Sequence, residues 1–363
     1  MIFHRALWRE CSRLWLALFA VLLAIVFTIQ TIRLLGQAAS GQLAVDAVAA
    51  LLAFSSLYYL PVLVLLAVFL AVLLALGRMY RDSEMVVWFS SGLSLWRWIL
   101  PVLRFALPLA LVVMVLSVWV SPWAMAKSER YRRQLDQREE TATLAPGVFK
   151  EAKHANRVYF VESYAGEGGT AKNIFVQSEQ EGRLGTIAAA RGFTWQDREG
   201  GKFLVLQAGR RYEFDPQAQA YRVLAFTQYG VRVTTPDSAI VPPSVKALPS
   251  AHLWRSAERT QLAELMWRVG LPLGCVVLAV LAVPLSFVNP RSGRGLNLLS
   301  AILLYATYSN LLSVSQAWVA DGRWSWWGAL LGLHGLLFGV GLLVLWRRVH
   351  PTWRRRADVR RSA

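Results

Sequence analysis

Charge, cysteine and catalytic patterns are scarce in this sequence. Only 17% of its 363 residues are charged, and 22 acidic residues face 39 basic ones. The two cysteines, Cys11 and Cys275, sit in or beside apolar runs. No disulfide framework is expected in the polar part of the chain, and metal-ligand spacing is absent. No GxxxxGK[ST] occurs, so the chain carries no phosphate-binding loop of its own. Gly166-Glu167-Gly168-Gly169 lies between strand signals with no helix after it and reads as a hairpin turn, not a dinucleotide fingerprint. The histidines His4, His154, His252, His334 and His350 are scattered and form no HExxH. No nucleophile lies near a base in any recognisable pattern. These absences argue against catalysis by this chain alone, and neither metal nor cofactor is expected. A cleavable signal peptide is not expected either, because the first apolar run, 14–35, exceeds the length of a signal h-region.

What the chain has in quantity is apolar sequence. Apolar residues make up 55% of it, and the mean hydropathy is +0.39. Six runs, 14–35, 47–76, 99–120, 269–288, 296–319 and 326–346, each approach or exceed the roughly 20 residues needed to cross a hydrocarbon core. Three precede and three follow a polar insert, 121–262. The second is long enough to tilt or to run past the bilayer surface. With six spans both termini share a side. That side collects Arg5, Arg9, Arg13, Arg78, Arg81, Arg97, Arg291, Arg294 and the basic tail 347–363, whereas the opposite short loops carry only Arg33 and Arg323. Basic loops stay inside, so both termini are expected in the cytoplasm and the insert outside. The net charge of +17 is then a topology signal, and no nucleic-acid partner is expected. The tail Arg354-Arg355-Arg356 with Arg360-Arg361 reads first as a cytoplasmic anchor and second as a contact for anionic lipid.

The sequence divides into 1–120, 121–262, 263–346 and the tail 347–363. In the first part, Phe3, Leu7, Cys11 and Leu14 share a helical stripe from which Arg5, Arg9 and Arg13 face away. That suits a helix lying at the membrane surface before the chain turns in. In the loop 77–98, Asp82 is predicted to cap a short helix near 82–91, with Glu84 in its first turn and Ser90-Ser91-Gly92 at its end. Between them, Met85-Val86-Val87-Trp88-Phe89 is an apolar run that needs cover from the membrane or from a protein groove. An acid beside uncovered apolar residues on the cytoplasmic face is the pattern of a docking helix for an ATPase subunit. Glu84, Met85, Trp88 and Phe89 are its candidate coupling residues.

The insert opens with a charged helical stretch, 127–140. Short β-branched or aromatic runs follow at 157–161, 173–176, 202–206 and 221–226, separated by turn residues. Many short strands with no helices between them predict a sandwich or jellyroll. Val158, Phe160, Phe175, Phe203 and Val205 alternate in a way that suits either an apolar path or a closed core. Within the spans, Arg33 follows the polar trio Thr28, Gln30 and Thr31. It reads as an arginine snorkelling to lipid phosphate or as a cation holding an anionic headgroup. The fifth run is unusually polar. Asn310, Ser313 and Gln316, at spacing three, lie on nearly one face and suit helix–helix contact or one wall of a translocation cavity. Gln30 belongs with them as a cavity or helix-interface candidate.

Several stretches together resemble one family. Arg5-Ala6-Leu7-Trp8-Arg9-Glu10 looks like an Arg-Tyr-Leu-x-x-Glu opening, with Ala6 where tyrosine is common. Gln37-Ala38-Ala39-Ser40-Gly41, Leu76-Gly77-Arg78-Met79-Tyr80-Arg81-Asp82-Ser83-Glu84-Met85, Ser91-Gly92-Leu93-Ser94 and Pro290-Arg291-Ser292-Gly293-Arg294 extend the match over essentially the whole chain. The sequence resembles the permease family of the lipopolysaccharide-export ABC transporter, on its LptF side more than its LptG side. The resemblance implies six transmembrane helices and a periplasmic β-jellyroll between the third and fourth. It implies a non-catalytic subunit in the inner membrane of a Gram-negative bacterium. The implied partners are a sister LptG-type permease, an LptB-type cytoplasmic ATPase dimer, bridge subunits of LptC and LptA type, and lipopolysaccharide as substrate. It implies that Glu84 couples to the ATPase and that Arg33 faces glycolipid phosphates. Two other readings stay open. A lipoprotein-releasing or efflux-type permease would have four spans with the insert after the first. A membrane-anchored scaffold or sensor would need an output domain.

Overall fold

Residues 2–35 contain neither proline nor glycine. Nothing there interrupts the helical hydrogen-bond ladder, and helix α1 runs unbroken over Ile2–Ala39. The turn expected after residue 13 is therefore absent, and the amphipathic start and the first span form one helix. In the computed structural model the described residues are 2–40, 43–142, 147, 150–152, 157–165, 170–180, 183–196, 202–215, 220–234, 242–287 and 294–350. The loop residues 290–293, the glycine turns at 166–169 and 200–201, Gly41 and the tail arginines 354–361 lie outside them.

The helices that follow are α2 (Ala47–Arg81), α3 (Glu84–Ser90), α4 (Ile99–Val115) and α5 (Ser121–Ala142). After the strands come α6 (Ser250–Arg255), α7 (Arg259–Leu285), α8 (Arg294–Ala320) and α9 (Trp326–Val349). A π-helical turn, Leu116–Val120, joins α4 to α5 without a break. Among the described residues six helices are long and apolar enough to span a membrane, three before the strands and three after.

The chain separates into two units, residues 1–130 with 243–363, and residues 131–242. In the first, α2 and α7 are the buried helices. Val68, Phe69, Leu76, Trp98, Val102, Leu278 and Ala282 belong to one continuous core. By contrast α1 and α8 leave large apolar side chains outside, among them Leu16, Val21, Ile25 and Ile29 on α1 and Leu299, Leu303 and Val314 on α8.

The second unit carries a six-stranded antiparallel sheet in strict chain order: β1 (Lys150–Ala152), β2 (Arg157–Ala165), β3 (Thr170–Gln180), β4 (Arg183–Gln196), β5 (Lys202–Asp215) and β6 (Ala220–Thr234). Pairing is interrupted at Glu162–Asn173, Asn173–Ala190, Ala190–Ala208 and Ala208–Thr227, which line up across β2 to β6. Asn173 and Ala208 have φ of 49° and 52° at this crease, and the phase of burial changes there. Among the described β4 positions, Gly185, Ile187 and Ala189 are buried on one side of the crease and Gly192 on the other. One face of the sheet holds the core, Val161, Ile174, Val176, Ile187, Leu204 and Leu206. Val158, Phe160, Phe175, Phe203 and Val205 lie in the opposite phase and are half-buried. Both phases of these strands are apolar, so alternation alone could not say which faces inward.

Candidate functional site

Helix α3 is anchored by a single guanidinium. Arg78, in the last turn of α2, reaches Glu10 of α1 at 3.0 Å, Asp82 at 2.9 Å and Glu84 at 3.0 Å. Glu84 is the first residue of α3, where the helix dipole also favours an acid. Ser83 precedes it with φ 61° and forms the N-cap without a side-chain hydrogen bond. The cap expected at Asp82 is thus absent, because Asp82 spends its carboxylate on Arg78. At the other end Gly92 adopts φ 85°. Its N–H donates to the Phe89 carbonyl and that of Leu93 to the Trp88 carbonyl, which closes the helix in the left-handed manner that glycine permits.

Once held this way, α3 divides its apolar run. Met85 is buried and belongs to the membrane core, and Trp88 packs against that core half-buried. Val86, Val87 and Phe89 stay outside, with Val86 and Val87 about two-thirds exposed, at 65% and 66%. Phe89 lies 6.3 Å from Tyr80, and Tyr80 meets Phe287 edge-on at 5.4 Å. The result is a short, fixed helix with an apolar side that the described residues do not cover.

At the other end of the spans Arg33 is exposed on α1, with no carboxylate partner among the described residues. Gln30, one turn earlier, is buried. Asn310 and Ser313 are exposed on α8, and each returns a hydrogen bond to its own helix, to the Ala306 and Ser309 carbonyls. Gln316 faces differently and donates to Glu264 at 3.4 Å. The structure therefore does not gather Gln30, Asn310, Ser313 and Gln316 into one site.

Gln316 leads instead to a buried polar hub. Arg268 of α7 is 2% exposed and Glu264 7%, and they pair at 3.0 Å. Arg268 also donates to the carbonyls of Leu248 at 2.9 Å and Lys246 at 3.0 Å, and to the Ser250 hydroxyl at 2.7 Å. Ser117, in the π turn, donates to the Arg268 carbonyl, and Ser250 donates to the Val118 carbonyl. This guanidinium ties the segment that re-enters the membrane unit, 243–255, to α7. Deeper in, the Tyr308 hydroxyl donates to the Gly270 carbonyl at 3.2 Å and lies 3.2 Å from the His334 Nε2. Gly274 makes room for that ring, since a Cβ there would sit 1.8 Å from the tyrosine oxygen.

The model of the family described as lipopolysaccharide export system permease LptF/LptG matches residues 5–347. The chain belongs to the LptF/LptG permease family. It is 30% identical over 311 residues to the lipopolysaccharide export system permease protein LptF of Escherichia coli K12, covering 85% of this chain and 84% of that protein. The LptF protein of Shigella flexneri matches to the same extent. The LptG protein of Escherichia coli K12 is 30% identical over 102 residues, 28% of each chain. The six apolar helices and the sheet between the third and fourth fit this family and do not fit a four-span permease with an early insert.

Within this LptF/LptG-type chain, Glu10 comes from one stretch of the sequence resemblance and Arg78, Asp82 and Glu84 from another, and tertiary structure makes them one cluster. Sequence reasoning missed Arg78 as its centre because Arg78 read as one more inside-facing arginine. It missed the Glu264–Arg268 hub because an i,i+4 pair at a helix start reads as a solvated surface pair. The one available signal was the span that follows directly, which leaves such a pair no water.

Proposed function

We propose that this chain is the LptF-type permease subunit of an ABC exporter that extracts lipopolysaccharide from the inner membrane and passes it to a periplasmic bridge. An LptB-type ATPase dimer seats on α3, an LptG-type sister permease packs beside it, and subunits of LptC and LptA type continue the path. Both termini lie in the cytoplasm and the sheet domain in the periplasm. Arg33, exposed at the outer end of α1, meets the glycolipid phosphates. The unmatched apolar surfaces of α1 and α8, with Asn310 and Ser313 on α8, face the sister permease and the cavity between the two.

The observation that carries this reading is α3. Its acid is pinned by Arg78 and its apolar side, Val86, Val87 and Phe89, is presented outward. A groove on a partner that covers such side chains gains roughly 1.5–3 kcal/mol for each one fully buried. A rigid mount lets motion of the partner move α2 rather than bend a loop. The energetics of the cargo demand such a motor. Moving acyl chains out of the bilayer costs about 0.8 kcal/mol per CH₂, so several chains cannot leave without ATP and a covered apolar route. The sheet, apolar in both phases of its strands, is suited to line that route.

The test is mass spectrometry of what co-purifies with the tagged chain after gentle extraction from its native membrane. A homologous permease, a small ATPase and lipopolysaccharide together are expected. Recovery with a lipoprotein and no sister permease, or of the chain alone, would overturn the reading.

A further inference from the structure

A basic cavity of about 530 Å³ opens between the α3-side ends of α1 and α4, lined by Arg5, Trp8, Arg9, Pro101 and Arg104. Among the described residues no acid lines it, and Glu10, the carboxylate next in sequence, is engaged by Arg78 at 3.0 Å. Arg104 is the sole charge in α4. It lies six residues beyond Trp98, about 9 Å along the axis at 1.5 Å per residue. A cation inside an apolar span is costly unless an anion meets it. Its neighbours on the same stripe, Leu100, Leu107 and Leu111, are all more than half exposed. Trp8 is held edge-on to Phe105 at 6.5 Å, and tryptophan favours the headgroup level of a bilayer. Arg5 and Arg9 are one turn apart on α1, and Leu16, two turns beyond Arg9, is 62% exposed.

We propose that this cavity binds the phosphate headgroup of an anionic glycerophospholipid, with its acyl chains along the leucine stripe of α4 and Leu16 of α1. Three guanidiniums without a carboxylate supply the anion site, and the apolar stripes supply what a soluble phosphate would not use. The site lies on the α3 side of the membrane unit, the end of α1 opposite to Arg33. It concerns a resident lipid and not cargo, and its test reads lipid binding without export.

The experiment titrates the purified complex in mild detergent with three ligands: short-chain phosphatidylglycerol, short-chain phosphatidylcholine and inorganic phosphate. Native mass spectrometry or calorimetry reads the binding. The wild type should bind phosphatidylglycerol in preference to the other two. Each surface arginine is worth about fivefold in affinity for an anionic lipid, so Arg5→Gln/Arg9→Gln/Arg104→Gln should lose about a hundredfold. Inorganic phosphate binding as tightly as phosphatidylglycerol would overturn the lipid assignment, as would equal binding by wild type and triple variant. If the triple variant does not elute as folded protein, the single Arg104→Gln should lose about fivefold while Arg104→Lys retains binding. Indifference to both single changes overturns the proposal equally.

Discussion

Replacing Arg268 by methionine removes the cation from the hub that joins the re-entering segment to α7. Methionine keeps much of the volume, so the change is mainly electrostatic. Glu264 would then be left 7% exposed with, among the described residues, only the long Gln316 hydrogen bond of 3.4 Å. Breaking one side of a buried ion pair costs about 3–5 kcal/mol, because the surviving charge stays desolvated. The carbonyls of Leu248 and Lys246 also lose their donor. At about 2–4 °C per kcal/mol the thermal midpoint should fall by about 6–20 °C. Cys275, buried in α7, offers a readout, since a thiol-reactive dye labels it as the helix opens. The double variant Glu264→Gln/Arg268→Met removes the orphaned charge and should recover part of the loss, though not the bonds to the two carbonyls. A single variant that melts with the wild type, or a double no better than the single, would refute the buried-pair account.

Further outcomes follow from the same geometry. Glu84→Arg places a cation opposite Arg78 and at a helix start, yet the pair is half-exposed and worth no more than about 1 kcal/mol. The protein should stay folded and lose its ATPase partner on co-purification, so normal association would be evidence against α3 as the mount. Gly274→Ala drives a methyl into the Tyr308 hydroxyl and should destabilise by about 1–3 kcal/mol. Adding Tyr308→Phe should relieve part of that in the same thermal assay, and no relief would mean that the clash is elsewhere. Arg33→Glu, at an exposed position, should leave the melting point unchanged and reduce photocrosslinking of lipopolysaccharide to the outer end of α1. Unchanged crosslinking there counts against a phosphate contact.

Span number and helix type were legible because period and length carry them directly: about 20 apolar residues in a row have few other uses. Strands β2, β3, β5 and β6 were legible from β-branched and aromatic runs. Strand β4 was not, because Gly185, Ala188, Ala189, Ala190 and Gly192 carry little strand propensity. Helix α3 was legible in outline from Glu84 and Gly92, but its cap was misplaced because a carboxylate can serve a helix end or an ion pair and only geometry decides.

By itself the sequence determined the membrane class, the three-and-three division around a β domain and the presence of a short helix with an uncovered apolar run. Each is a local property, readable from hydropathy, periodicity or a turn residue. The tertiary structure alone decided which charges meet. Arg78 gathers an acid from α1, one from α3 and Asp82 between α2 and α3, and Arg268 grips carbonyls about twenty residues before it, while Gln316 leaves its own polar stripe to join Glu264. It also decided which phase of each strand is buried and where a crease reverses it. These are long-range outcomes, because an ion pair or a buried face depends on the distance between segments, and sequence spacing does not set that distance once the chain has folded.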